Sequence, residues 1–292
     1  MQNKSSLVAP SSALPGSALL AALVLIGTAA TPALAGSTSW RGSMGGEIRL
    51  ISAGGPPAAD GTLQAGLELR LKPGWKTYWR FPGDSGIGTS ADFSTSVNLA
   101  SADLAFPAPE RQFDGFSTSI GYTGSVVLPL AVRPHDPAKP LLLNVTVTYG
   151  VCAEVCVPLQ DELSLVMSAG GPADPDAAAQ IDEARARVPR PATADDPLSV
   201  RAVTVGQARP RVLTFSAALS DSSAPAELFV EGPENSYLTV PDPAGTRDGL
   251  AQWTLPLDGL VYAGDSASLR LTLINGEKAV DQTWILSSEE LQ

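Results

Sequence analysis

Histidine is almost absent: the chain of 292 residues holds one, His135. A hydrolase of the Ser–His–Asp or Cys–His kind would have to use that residue as its base. It sits in Arg133-Pro134-His135-Asp136-Pro137, a turn-like stretch that reads as a solvated loop. Cysteine is nearly as scarce. Cys152 and Cys156 with one histidine cannot make the four-ligand set of a structural zinc site. Positive charge is short as well: 19 Lys+Arg stand against 30 Asp+Glu, a formal net charge of -11. Such a surface repels nucleic-acid phosphates and anionic lipid, so no nucleic-acid partner is expected; it serves solubility or steers a basic partner. Long hydrophobic runs are also missing. After the N-terminal region no stretch is apolar for the roughly 20 residues that a spanning helix needs.

What is present begins with a targeting pattern. Lys4 is followed by an apolar run from Ala18 to Gly27, then by Ala33-Leu34-Ala35 and Gly36. A basic start, a short apolar core and an A-x-A site form the layout of a secretory signal, here residues 1–35. An uncleaved anchor is the alternative. No cysteine stands at the cleavage site to take a lipid. The expected mature protein is exported to the periplasm, has no transmembrane segment after signal removal, and works in an oxidising compartment.

With 44% hydrophobic residues the chain can build real cores, and its length suggests about two domains. From Glu47 onward the pattern is mostly of period two. Leu63, Ala65, Leu67, Leu69 and Leu71 alternate with Gln64, Gly66, Glu68 and Arg70, as in a half-buried strand. Val126–Val132, Leu141–Tyr149 and Leu159–Met167 read as further strands. Pro and Gly fall mostly between these runs, and the spacing suggests a sandwich rather than a βαβ sheet. Composition shifts at Ala169. Ala177–Val188 reads as one helix, capped by Asp174 or Asp176 with Pro175 in its first turn. Pro189, Pro191 and Pro197 end it. A second β region starts at Leu198, with Leu269–Leu273 and Thr283–Leu286 its clearest strands and Asn275-Gly276 a hairpin signal between them. The expected architecture is all-β: a signal peptide (1–35), a first β-sandwich (36–168), a helix and Pro-rich linker (169–197) and a second sandwich (198–292), both sandwiches immunoglobulin-like.

The chemistry concentrates in Tyr149-Gly150-Val151-Cys152-Ala153-Glu154-Val155-Cys156-Val157-Pro158. In an extended strand two residues four apart lie about 13 Å from each other, whereas a disulfide needs roughly 4.4–6.8 Å between Cα atoms. The pair can bond only if the chain bends sharply, and Gly150 and Pro158 bracket the segment as turn residues. A stabilising staple is one reading. But stabilisation by a disulfide grows with loop length, and three intervening residues are close to the least useful choice. A closely spaced, exposed pair is more readily reduced, which favours thiol–disulfide exchange. Two thiolates could also hold Cu(I), a low-coordination alternative on Cys152 and Cys156. Apart from that alternative no metal or cofactor is called for.

Four side chains are candidate modulators of the pair. Glu154 would raise a neighbouring thiol's pKa, or is simply a solvated loop charge. Tyr149 packs over the sulfurs, or inside the sandwich. Tyr78 and Asp84 belong to a second motif, Pro73-Gly74-Trp75-Lys76-Thr77-Tyr78-Trp79-Arg80-Phe81-Pro82-Gly83-Asp84-Ser85-Gly86. Its rings either fill the core, as aromatics most often do, or fold over the cysteines. Asp84 either accepts a proton during exchange or caps a turn.

Together these stretches, with Phe106-Pro107-Ala108-Pro109-Glu110-Arg111 and Gly121-Tyr122 between them, resemble the N-terminal periplasmic domain of the DsbD-type protein-disulfide reductases. The branch most similar is that of the ScsB-type suppressors of copper sensitivity. The resemblance covers roughly residues 40 to 170. It implies an immunoglobulin-like sandwich with the cysteine pair at its surface, and a second β domain after it. It implies that Cys152 and Cys156 are the exchanging pair of a protein-disulfide reductase component. The implied partners are periplasmic oxidoreductases of thioredoxin fold and, as electron source, a membrane electron-transfer protein. Full-length members continue into a membrane domain and a thioredoxin-like domain, and the chain ends at Gln292 without either. The expectation is therefore a separate reductant, a reversed direction, or loss of cycling. Within the pair, Cys156 is expected to attack and Cys152 to resolve. Binding of copper or a client without redox turnover, and a purely structural adaptor, are the competing functions.

Overall fold

The structure is a computed structural model and describes residues 36–42, 44–206, 210–262 and 266–287. The expected signal segment, 1–35, lies outside the described residues, as do 288–292. The fold is all-β with one helix, and it forms two immunoglobulin-like sandwiches joined by a helix-containing linker.

The first sandwich uses β1 (Arg41–Gly42), β2 (Gly46–Ser52), β3 (Leu63–Leu71), β4 (Lys76–Gly83), β5 (Ser90–Asp92), β6 (Leu99–Leu104), β7 (Glu110–Phe113), β8 (Thr118–Thr123), β9 (Ser125–Pro134), β10 (Leu141–Cys152) and β11 (Cys156–Met167). One sheet has the order β1-β2-β3-β9-β6. The other runs β11-β10-β4-β8-β7, with β5 also paired to β10. Alternation drives the assembly: Leu141, Leu143, Val145, Val147 and Tyr149 point inward and meet Leu50, Leu67 and Leu128 from the facing sheet.

The leucine-rich β3 departs from the half-buried expectation. Gly66 and Glu68, on its outward face, are buried too. The cause is α1 (Pro175–Ala186), which lies on that face and packs Ala177 and Ile181 against Ile51. A Cβ on Gly66 would come within 3.3 Å of Ile181. Asp174 is the N-cap, accepting a hydrogen bond from the Ala177 amide at 3.0 Å, and Pro175 fills the first turn. The helix starts two residues before the expected Ala177 and stops at Ala186, so Val188 lies beyond it.

After the helix, β12 (Arg190–Pro191) enters the second sandwich. Its partners are β13 (Ser199–Val205), β14 (Val212–Ala218), β15 (Ala226–Glu231), β16 (Asp242–Arg247), β17 (Leu250–Pro256), β18 (Ser266–Asn275) and β19 (Lys278–Ser287). The two sheets are β12-β19-β18-β15 and β13-β14-β17-β16, closing over Phe215, Leu228, Trp253 and Leu271. The hairpin turn is Gly276-Glu277 rather than Asn275-Gly276, since Asn275 pairs with Lys278 as the last rung. Gly276 has φ 60 and Glu277 is not in the positive region, the pattern of a type II′ turn. Asn275 stays in the strand because its amide is occupied, donating to Asp221 O and accepting from the Asp221 amide.

Candidate functional site: the cysteine hairpin

Strands β10 and β11 pair residue for residue from Leu141↔Met167 to Cys152↔Cys156. Ala153, Glu154 and Val155 make the turn, and Cys152 and Cys156 are joined by a disulfide with Cα atoms 4.1 Å apart. The bend that the spacing requires is therefore a hairpin tip. Gly150 and Pro158 do not form it: they pair with each other two rungs down the ladder. The sequence reads Gly150 as a turn residue, but its missing Cβ has another use. A Cβ there would lie 2.8 Å from the Tyr78 ring. Gly86 meets the same ring from its other edge, where a Cβ would approach to 2.2 Å. Two glycines thus make the slot that holds Tyr78.

The slot aims the Tyr78 hydroxyl at the disulfide, 3.0 Å from Cys156 Sγ. A disulfide sulfur carries no hydrogen, so the hydroxyl is the donor. The backbone beside it is fixed as well. Thr89 donates its hydroxyl to Tyr78 O at 2.6 Å, and Thr77 donates to Gly150 O at 2.8 Å. Burial, and then the nearby Asp114 carboxylate, push the Tyr78 phenol above its ordinary pKa. It therefore keeps its proton at neutral pH and remains a donor.

The two sulfurs are not equivalent. Cys152 is 4% exposed, whereas Cys156 is exposed at the tip beside Val155, itself 69% exposed. Lys76 on β4 stands directly across from Cys152. Its ammonium donates to Ser119 Oγ at 2.8 Å and lies 3.9 Å from the Asp114 carboxylate. Amide donors from Ser117 and Phe116 hold Asp114 below the usual carboxylate range, so it is charged. Trp75, Lys76, Gln112, Phe113 and Ala153 line a groove that reaches Cys152.

The aromatic motif divides between its two expected roles. Tyr78 touches Cys156 Sγ; Trp79 is fully buried in the core and packs tilted against Phe229 of β15, ring centroids 5.9 Å apart. Asp84 accepts from the Thr118 amide at 3.2 Å and the Val240 amide at 3.1 Å, one oxygen for each. Tyr149 is inside the sandwich, on the strand face opposite Cys152, and donates to Asp161 at 2.8 Å. Glu154 is exposed at the turn. His135 is exposed, and no group of three or more metal-ligating side chains exists among the described residues. Sequence reasoning missed Lys76, Ser119 and Asp114 around the pair, and the slot glycines.

Residues 52–168 match the family model described as thiol:disulfide interchange protein DsbD, N-terminal. The chain resembles the DsbD-type N-terminal domain. Both cysteines and the whole Tyr78 slot fall inside the matched segment. Among solved structures, the N-terminal periplasmic domain of ScsB from Proteus mirabilis superposes with a TM-score of 0.65 at 19% identity, covering 86% of this chain and 98% of that one. The DsbD-like sandwich and the second sandwich thus both have counterparts in that fold. A conserved domain protein from Bacillus anthracis, 11% identical over 86% of this chain and 91% of its own, reaches a TM-score of 0.21. No curated protein matches the chain.

Proposed function

We propose that the protein is a periplasmic thiol–disulfide interchange module in which Cys152 and Cys156 exchange electrons with oxidoreductases of thioredoxin fold. The observation that carries this reading is the placement of a disulfide at an exposed hairpin tip with a buried phenol donating to its outer sulfur. Exchange proceeds through in-line attack of a thiolate on a sulfur that a visiting molecule can reach. Cys156 is the more exposed residue of the two and the one a visitor meets first at the tip, while Cys152 is reached only along the groove beside Lys76. A donor thiolate attacks Cys156 Sγ, the Cys152–Cys156 bond breaks, and Cys152 leaves as a thiolate. The donor's second thiolate then attacks the donor sulfur of the mixed disulfide and releases Cys156 as a thiolate, so two electrons have entered. In the onward step Cys156 attacks the partner's disulfide, and Cys152 attacks Cys156 Sγ to expel the partner as a dithiol.

Tyr78 stabilises this cycle at Cys156, because a hydrogen bond to a thiolate is stronger than one to a neutral sulfur. The electron source is a separate reductant, of which a membrane electron-transfer protein is the kind the DsbD resemblance suggests. The same resemblance, and the periplasmic ScsB domain of similar fold, support the compartment.

The test is equilibration of the purified protein with glutathione, followed by trapping with an oxidised thioredoxin-fold protein. The pair should reduce and reoxidise reversibly. Cys152→Ser should accumulate a mixed disulfide through Cys156, while Cys156→Ser should accumulate none. A pair that stays bonded in excess glutathione and dithiothreitol, or trapping that proceeds equally well through Cys152, overturns the reading.

A further inference from the structure

We propose that the second sandwich is a positioning element for the reactive pair, acting through Arg80 and Glu231 on the strand that carries Tyr78. This rests on the exchange reading and extends it to residues far outside the DsbD-like segment.

The reason lies in a defect of β4. The strand pairs regularly with β8 at Lys76↔Thr123, Thr77↔Tyr122 and Tyr78↔Gly121, then jumps to Gly83↔Ser119. Trp79, Arg80, Phe81 and Pro82 therefore oppose the single residue Ile120. Pro82 has no amide hydrogen to give to a ladder. A bulge of this size is not paired with β8, although the Thr89 amide holds its first residue by donating to Trp79 O at 3.1 Å. Tyr78 is the last paired residue before it, so whatever fixes the bulge fixes the direction of Tyr78.

The second sandwich holds the next residue, Arg80. Arg80 donates through Nε and Nη2 to both oxygens of Glu231 on β15, at 2.7–3.1 Å. Its Nη2 also reaches Thr272 at 3.4 Å and lies 3.7 Å from the Asp281 carboxylate. The guanidinium stacks 3.8 Å from the Trp79 ring, and Trp79 in turn packs near Phe229. The Arg80 and Glu231 side chains are 15% and 18% exposed, so the pair is well shielded from water. A planar guanidinium on a carboxylate fixes orientation as well as distance. A second tie runs through the loop that follows β4. Asp84 holds the Val240 amide, and two residues later Gly86 presses on the Tyr78 ring. Both ties converge on the phenol whose hydroxyl sits 3.0 Å from Cys156 Sγ. Arg80 and Glu231 do not touch the sulfurs; they act through Tyr78.

The test is a double-mutant cycle read by the equilibrium of the pair with glutathione, on the full chain. Glu231→Gln keeps the shape of the side chain and removes the charge that orients Arg80. It should shift the equilibrium roughly three- to tenfold toward the disulfide, the scale of one weakened hydrogen bond to a thiolate. Tyr78→Phe should shift it in the same direction, and Glu231→Gln added to Tyr78→Phe should change nothing further. Arg80→Lys, which retains the charge but not the fork, should behave as Glu231→Gln does and serves if the latter fails to fold. Equal shifts from Glu231→Gln with and without Tyr78, or an unchanged equilibrium in both interface variants, overturn the proposal while leaving exchange by the cysteines standing. A wild-type pair that never equilibrates with glutathione removes the exchange reading, and this one with it.

Discussion

Each sandwich carries one long hairpin, and the two are closed by different means. In the first, β10 and β11 are 12 residues each and end in Ala153-Glu154-Val155 with a disulfide across the last rung. In the second, β18 and β19 are 10 residues each and end in Gly276-Glu277, with a backbone turn and no cross-link. The second hairpin shows that a ladder of this length holds together without a staple. Chain-entropy reasoning gives a loop as short as that of Cys152 and Cys156 only about 2 kcal/mol of stabilisation, against about 4.7 kcal/mol for a hundred-residue loop. The bond at the first tip is therefore better understood as a bond that opens. Its surroundings agree. A Cβ at Gly276 would meet Ala224 rather than a ring, whereas the cysteine turn is backed by Tyr78, Gly86 and Gly150.

The sharpest way to break this contrast is to fill the slot. Gly150→Ala would put a Cβ 2.8 Å from the Tyr78 ring, and Gly86 blocks retreat on the other edge. Overpacking of this kind costs up to about 3 kcal/mol. The variant should melt at a lower temperature. Its glutathione equilibrium should also move toward the disulfide, because the hydroxyl leaves Cys156. A melting loss with an unmoved equilibrium would mean that the slot serves packing alone.

Much of this architecture is legible in the sequence. Strict alternation from Leu143 to Tyr149 fixes a strand and its inward face. Asp174 or Asp176 as cap and Pro175 in the first turn announce the helix, though the expected start at Ala177 falls two residues late. The spacing of Cys152 and Cys156 at the end of a strand demands a bend. What escaped reading depends on contacts between distant segments. Gly150 has two uses, a turn conformation or a close approach, and only the Tyr78 ring decides between them. Lys76 stands across from Cys152 because of strand register, which local pattern does not encode. The burial of Glu68 comes from a helix more than a hundred residues later; there its carboxylate meets Arg49 at 2.7 Å. The tie of Arg80 to Glu231 spans a sequence separation of 151 residues.

A middle-sized effect separates the staple and exchange readings directly. The double variant Cys152→Ser, Cys156→Ser should lose no more than about 2 kcal/mol of stability, the chain-entropy value for so short a loop. It should abolish exchange completely. Urea unfolding of the two proteins measures the first and the glutathione assay the second. Failure of the double variant to fold would show that the disulfide is structural after all, and the comparison with β18–β19 would fail.

The smallest expected effect tests the other hairpin. Gly276 sits at φ 60, where an L side chain is strained, and a Cβ there would lie 3.3 Å from Ala224. Gly276→Ala should therefore cost about 1–2 kcal/mol, the usual penalty for placing a side chain in the left-handed region. Asn275 would resist any slip of the turn, because its amide is tied to Asp221 on the neighbouring loop. The strain should stay local, leaving Glu231 on β15 and its hold on Arg80 in place. The glutathione equilibrium of Cys152 and Cys156 should then match the wild type while the melting temperature falls. If the equilibrium moved with this variant too, general loosening of the second sandwich would reach the sulfurs, and the specific route through Arg80 and Tyr78 would lose its distinction.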